Sequence, residues 1–262
     1  MHTKEEKLQA IGRLLDIMDD LREKCPWDRK QTFDSLRHLT IEEVFELSDA
    51  IMDKDYDKIK EELGDILLHI IFYSKLGEEI HKFDIADVAN HISDKLIKRH
   101  PHIYGDVQVA DAEEVKRNWE ALKMKEGKKS VLEGVPRSLP AMIKAMRMQE
   151  KAAGVGFDWN RQGEVWQKVL EEIDELQQAV RKGDKNQTEE EFGDVLFSLI
   201  NYARFIGVNP ETALEKINKK FKSRFEFIER EAARQGKNVR ELGIDEMNRL
   251  WDLHKQQPKN DT

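Results

Sequence analysis

The chain has 262 residues, 44 of them Lys or Arg and 52 Asp or Glu, for a formal net charge of −8. Its 14 Gly and 6 Pro are too few for the tight turns of an all-β sandwich or barrel, and a chain rich in Glu, Lys, Leu, Ala and Gln is a helical one. An acidic balance with no basic run set apart excludes the electrostatic footprint of a nucleic-acid polymer or an anionic membrane partner.

The one cysteine, Cys25, excludes an internal disulfide. The opening Met1-His-Thr-Lys-Glu-Glu-Lys7 has no apolar stretch of the signal-peptide kind, and the expected compartment is cytoplasmic. From the N-terminus, Leu8, Ile11, Leu14, Leu15, Met18 and Leu21 recur at helical spacing and predict an amphipathic helix. Thr40 before Ile41-Glu-Glu43 is the expected N-cap of the next, with Glu43 completing a capping box. A break at Asp53-Lys-Asp55 separates that helix from one that runs through Ile66–Tyr73, too short an apolar stretch for a membrane span. So short a connection makes the two helices antiparallel neighbours. Asp84 is the expected cap of the following helix, which carries Lys95 and Arg99.

The chain then repeats itself. Glu42, Glu43 and Glu46 return as Glu171, Glu172 and Glu175, and Glu62 and Asp65 as Glu191 and Asp194, all at an offset of 129. Lys95 and Arg99 match Lys220 and Arg224, and Trp119 and Lys123 match Trp251 and Lys255, with small shifts of register. The second break is Lys182-Gly-Asp184, and Asn209 stands where Asp84 does. Such an ordered series is a duplication. Turn and breaker residues concentrate in Lys125–Ser130 and Gly134–Pro140, which sets a first helical domain at 1–126, a linker at 127–140 and a second helical domain at 141–262.

On a helix, Glu43 and Glu46 share one face, as do Glu62 and Asp65 on the next. Antiparallel pairing lets the four carboxylates converge, and Val44, Phe45, Leu47, Leu63, Ile66 and Leu67 put them at the edge of an apolar interface. Carboxylates about 5 Å apart repel by roughly 3 kcal/mol per pair at an effective dielectric near 20. A domain stable by about 5–15 kcal/mol needs a counter-charge there. An all-carboxylate set selects a hard cation, Mg²⁺ or Mn²⁺. A di-iron centre is set aside, because it uses Glu-x-x-His motifs and the counterpart of His69 is Ser198. Lys95 with Arg99, and Lys220 with Arg224, are i, i+4 cations that call for an anion: phosphate beside the metal, or neighbouring Glu on a solvated face. Trp251 with Lys255 offers a nucleotide base a ring and a cation, with core packing the competing role of the tryptophan.

At Glu-Glu-x-x-Glu followed sixteen residues later by Glu-x-x-Asp, the sequence resembles the MazG family of all-α nucleoside triphosphate pyrophosphohydrolases. Cys25-Pro-Trp-Asp28, Lys98-Arg-His-Pro-His102 and Val155-Gly-Phe-Asp-Trp159 are similar to that family's tandem-domain form. The resemblance implies Mg²⁺-dependent cleavage of nucleoside triphosphates to monophosphate and pyrophosphate, in helical domains that form a homodimer. It implies metal ligands at Glu172, Glu175, Glu191 and Asp194, and by motif at Glu43, Glu46, Glu62 and Asp65. Catalytic roles are implied for Glu171, Glu172, Lys220 and Arg224, and nucleotide contacts also for Lys168, Gln187, Glu190, Trp251 and Lys255. The copies differ around the acids: Lys168 is matched by Leu39, and Gln187 by Lys58. The resemblance makes the second copy the expected catalytic one; a helical module that binds Mg-nucleotide without turnover is the rival reading.

Overall fold

In the computed structural model, residues 1–111, 114–115, 118–119 and 130–256 are described; Lys123, the C-terminal edge of the first expected domain and the start of the expected linker lie outside them. Among the described residues every regular element is helical, and no helix is long and apolar enough to cross a membrane. The chain divides into two compact units, Met1–Gln108 and Val109–Thr262.

The first unit contains α1 (Lys4–Lys24), a 3₁₀ turn at Asp28–Lys30, α2 (Phe33–Asp53), α3 (Tyr56–Glu79), α4 (Ile85–Arg99) and the short α5 (Pro101–Tyr104). α2 and α3 form its dominant hairpin. Lys54 ends α2 in the left-handed region at φ 57°, and Asp55 caps α3 by accepting from the backbone N–H groups of Asp57 and Lys58. α1 lies against α3, where Met18, Leu36, Ile71, Phe72 and Leu76 form the core. Arg22 to Glu79 at 2.6 Å and Lys75 to Asp19 at 2.7 Å tie the two helices at their edges. Leu8 and Ile11, at the N-terminal end of the apolar stripe of α1, are exposed.

The start of α2 departs from the sequence reading. Thr32 and Ser35 form the capping box, two turns before Thr40, each side chain bonding the other's backbone N–H at 3.1 and 2.8 Å. Leu36 and Leu39 already belong to the buried face of α2, so the apolar pattern starts the helix early and carries Thr40 inside it. There the Thr40 hydroxyl lies 3.0 Å from the Leu36 carbonyl, 2.7 Å from His69 Nδ1 and 2.8 Å from the Tyr73 hydroxyl.

The second unit contains α6 (Ala141–Ala153), α7 (Gln162–Lys182), α8 (Lys185–Phe205), α9 (Pro210–Arg234), a 3₁₀ turn at Val239–Glu241 and α10 (Ile244–Gln256). α7 and α8 repeat the hairpin. Gly183 at φ 73° takes the position of Lys54 without a side-chain penalty, and Asp184 caps α8 as Asp55 caps α3. α6 packs on α8, and α9 with α10 builds a separate cluster of Phe227, Ile228, Ala232, Leu242 and Leu250. Residues 131–137, inside the expected linker, hold to α6: Lys151 donates to the Val131 carbonyl at 3.3 Å and Lys144 to that of Arg137 at 2.7 Å.

Candidate functional site

Each helical hairpin gathers an acid cluster. Oxygens of Glu43, Glu46 and Glu62 lie within 4.8 Å of one another in the first unit, and those of Glu172, Glu175 and Glu191 do so in the second. Each trio combines an i, i+3 pair from one helix with one acid from the facing helix, which is what antiparallel packing of two short-connected helices delivers. Glu62 and Glu172 are buried, Glu46 and Glu175 exposed. The fourth expected ligand stands outside both trios. Asp65 is half-buried and acts on Glu43 through its charge, whereas Asp194 is exposed.

The charges are balanced differently in the two trios. In the first, Lys58 reaches Glu62 along α3 at 3.2 Å. Burial, followed by the charges of Asp65, Glu46, Glu62 and Glu42, holds the Glu43 carboxyl above the usual range. In the second, Lys168 on α7 bridges Glu171 at 2.7 Å and Glu172 at 2.8 Å, and both contacts raise its own pKa. Gln187, at the position of Lys58, lies 3.5 Å from Glu191. Glu175 is raised by its hydrogen bond with Glu172, then by burial, then by the charges of Glu172 and Glu191. Leu39, in the place of Lys168, packs on the first unit's core. The i, i+4 spacing of Lys58 and Glu62 was the signal for a contact that the sequence reading left unused.

The remaining expected residues sit elsewhere in their units. Glu42, Glu171 and Glu190 are exposed, each beside a trio member in sequence. Lys220 is exposed on α9, and Arg224 lies over the Trp251 ring, 5.0 Å from its centroid. Phe221 meets the same ring at 5.2 Å, and Trp251 packs on the α9–α10 cluster with Lys255 exposed one turn on. Among the described residues no hydrogen bond or ion pair joins Lys220, Arg224 or Lys255 to the acid trio. In the first unit Lys95 and Arg99 are half-buried on α4.

The sequence profile of the MazG nucleotide pyrophosphohydrolase domain matches residues 31–104 and 162–227, one segment over each hairpin and the helix that follows it. The chain belongs to the MazG family. The two matched segments contain both acid sets, so this chain is a tandem of two all-α domains of the family. The nucleoside triphosphate pyrophosphohydrolase of Escherichia coli strain K12 is 41% identical over 95% of this chain and 98% of its own length. The nucleoside triphosphate pyrophosphohydrolase/pyrophosphatase MazG of Thermotoga maritima is 42% identical over 92% and 94%. The protein YabN of Bacillus subtilis is 42% identical over 97% of this chain, which spans 53% of that longer protein.

Proposed function

We propose that this chain is a Mg²⁺-dependent hydrolase that cleaves nucleoside and deoxynucleoside triphosphates to the monophosphate and pyrophosphate in the control of nucleotide pools, with the second MazG domain as its catalytic centre. Family membership makes it a hydrolase of nucleoside triphosphate phosphoanhydride bonds, and its relatives' names state that activity. The observation that carries the reading is the second trio: three carboxylates within 4.8 Å, with Lys168 spanning Glu171 and Glu172.

The donor set fits a small hard cation, because it consists of carboxylate oxygens alone and its like charges are relieved when one binds. Glu172, Glu175 and Glu191 would hold it, with Asp194 the fourth donor. When bound, Mg²⁺ supplies Lewis acidity toward phosphate oxygens and toward the attacking water. Lys168 fixes Glu172 in its buried position and keeps a full positive charge beside the phosphates. Glu171, exposed and joined to the same ammonium, is the group to accept the water's proton. Lys220 and Arg224 would neutralise the departing pyrophosphate, which requires Arg224 to exchange the face of Trp251 for an anion. The expected homodimer fits the apolar face left open along both hairpins, where Val44, Phe45, Leu63, Phe192 and Leu196 are exposed.

Product analysis tests the reading. ATP or a deoxynucleoside triphosphate with Mg²⁺ is expected to give monophosphate and pyrophosphate, with activity lost in EDTA and restored by Mg²⁺ or Mn²⁺. Release of diphosphate and orthophosphate overturns the assignment of the cleaved bond, and tight binding without any product supports a nucleotide-binding module instead.

A further inference from the structure

In the second unit α10 brings Trp251 against α9, where the Arg224 guanidinium lies over the indole, 5.0 Å from its centroid. We propose that this ring competes with phosphate for Arg224, holding the guanidinium between turnovers and drawing it back from the product pyrophosphate. Trp251 is then a positioning residue for product release; the inference rests on the triphosphate reading above.

The first argument is what Arg224 lacks. Its neighbours three and four residues away on the helix are Lys220, Phe221, Phe227 and Ile228, so no carboxylate stands at the spacings that pair side chains along a helix. Other cations of α9 have one: Lys222 lies 3.9 Å from Glu226 and Arg234 2.6 Å from Glu231. Lys220, one turn before Arg224, adds a like charge to the same stripe. Two such cations repel, and a long side chain relieves this by swinging away. Among the described residues Arg224 makes no hydrogen bond or ion pair, and the Trp251 ring is what holds it.

The second argument is that the ring is a fixed seat. Phe221 meets it at 5.2 Å with the planes 61° apart, and Phe225 stacks on Phe221 at 6.2 Å. Trp251 also packs on the α9–α10 cluster, and one turn later His254 lies 5.0 Å from the Phe227 ring of that cluster. Trp27, Trp159 and Trp166 are exposed, whereas Trp251 is half-buried. A planar, weakly hydrated guanidinium suits the face of an indole. The stack uses none of the N–H donors at the edge of the group, so all of them remain to be given to phosphate.

The order of strengths is the third argument. A guanidinium on a half-buried indole is held less firmly than one paired with phosphate through charge-assisted hydrogen bonds, so the substrate wins the exchange. The ring still stabilises the empty state, and a contact made only in the empty state weakens ligand binding by the fraction of molecules it withholds. Pyrophosphate, which the proposed reaction leaves on Lys220 and Arg224, is the ligand on which this falls. With a carboxylate in the place of the ring, each turnover would break an ion pair; with nothing there, pyrophosphate would leave more slowly. The ring that the sequence offers to a base thus acts at the phosphate end, whatever the base.

The test measures inhibition by inorganic pyrophosphate with ATP and with base-free ribose 5-triphosphate as substrates, all with Mg²⁺. Trp251→Leu is expected to lower the inhibition constant of pyrophosphate about threefold on both substrates, the scale of one cation–π contact, and to lower KM in the same sense. Trp251→Phe keeps the packing with a weaker ring and is expected to shift the same constants the same way by less, which preserves the test if Trp251→Leu does not fold. In an Arg224→Gln chain, Trp251→Leu is expected to leave the pyrophosphate constant unchanged. A raised KM for ATP that spares ribose 5-triphosphate assigns the ring to the base and overturns the proposal, as does weaker or unchanged inhibition by pyrophosphate. If the unaltered chain hydrolyses neither substrate, the pyrophosphohydrolase reading fails. The emission of Trp251, taken as the difference between the unaltered and Trp251→Phe chains, then still decides the seat. A change on adding pyrophosphate with Mg²⁺, absent in Arg224→Gln, upholds it, and an unchanged emission sinks it.

Discussion

The two MazG domains hold the same acids in the same register, and each sets one lysine against them, taken from the second helix of the hairpin in the first domain and from the first helix in the second. In the first the ammonium comes from α3, as Lys58 on Glu62; in the second it comes from α7, as Lys168 on Glu171 and Glu172. Duplication has kept the charge balance that three crowded carboxylates require, while the identity of the paired acid has changed. The acid left to bear the repulsion differs accordingly, Glu43 in one domain and Glu175 in the other. The lesson extends to the layer beneath. Thr40, His69 and Tyr73 form a buried polar network in the first domain, where the second has Val169, Ser198 and Tyr202. Val169 is fully buried, Ser198 bonds its own helix at the Val195 carbonyl, and the Tyr202 hydroxyl accepts from Gln162 at 3.2 Å, so the three positions are not joined to one another as they are in the first hairpin.

The largest expected effect breaks the symmetry of the acids themselves. Glu172→Gln is expected to lower pyrophosphate release by about 10²–10³, the scale for removing a principal electrostatic group, while Glu43→Gln leaves most of it. The reverse pattern moves the chemistry to the first domain. A smaller effect is expected from exchanging the cations. Lys168→Leu, which installs the first domain's residue, removes a hydrogen bond to a charged group and should cost about tenfold in turnover; Lys58→Gln, which installs the second domain's, should change it less than twofold. If the two variants are equally active, the different lysines do not distinguish the sites.

The smallest effect concerns pH. Burial holds the His69 imidazole below its ordinary pKa, against a weaker upward pull from Asp65. The unfolded chain therefore takes up a proton that the folded first domain resists, and stability is full above the ordinary histidine range and lost as pH falls through it. Urea midpoints of the full chain at pH 7.5 and 5.5 should show this fall, and His69→Ser, which copies the second domain, should flatten it. An unchanged slope in the variant assigns the pH dependence to other groups.

What the sequence determined by itself is local and periodic. The acids fall on shared helix faces because i, i+3 spacing fixes them, and the breaks at Asp53–Asp55 and Lys182–Asp184, with the caps at Asp84 and Asn209, are written in residues that stop and start helices. The repeat offset carried this from one domain to the other. Thr40 shows the limit of local reading, since a valid capping pattern lost to an earlier one once Leu36 and Leu39 had found a core to enter. Only the tertiary structure decided which three of each four acids meet, that Arg224 rests on Trp251, and that the Gln149 oxygen is left without a donor. Each of these depends on how the hairpin closes or on which element packs beside it, and helical periodicity carries no information about side chains brought together from different helices.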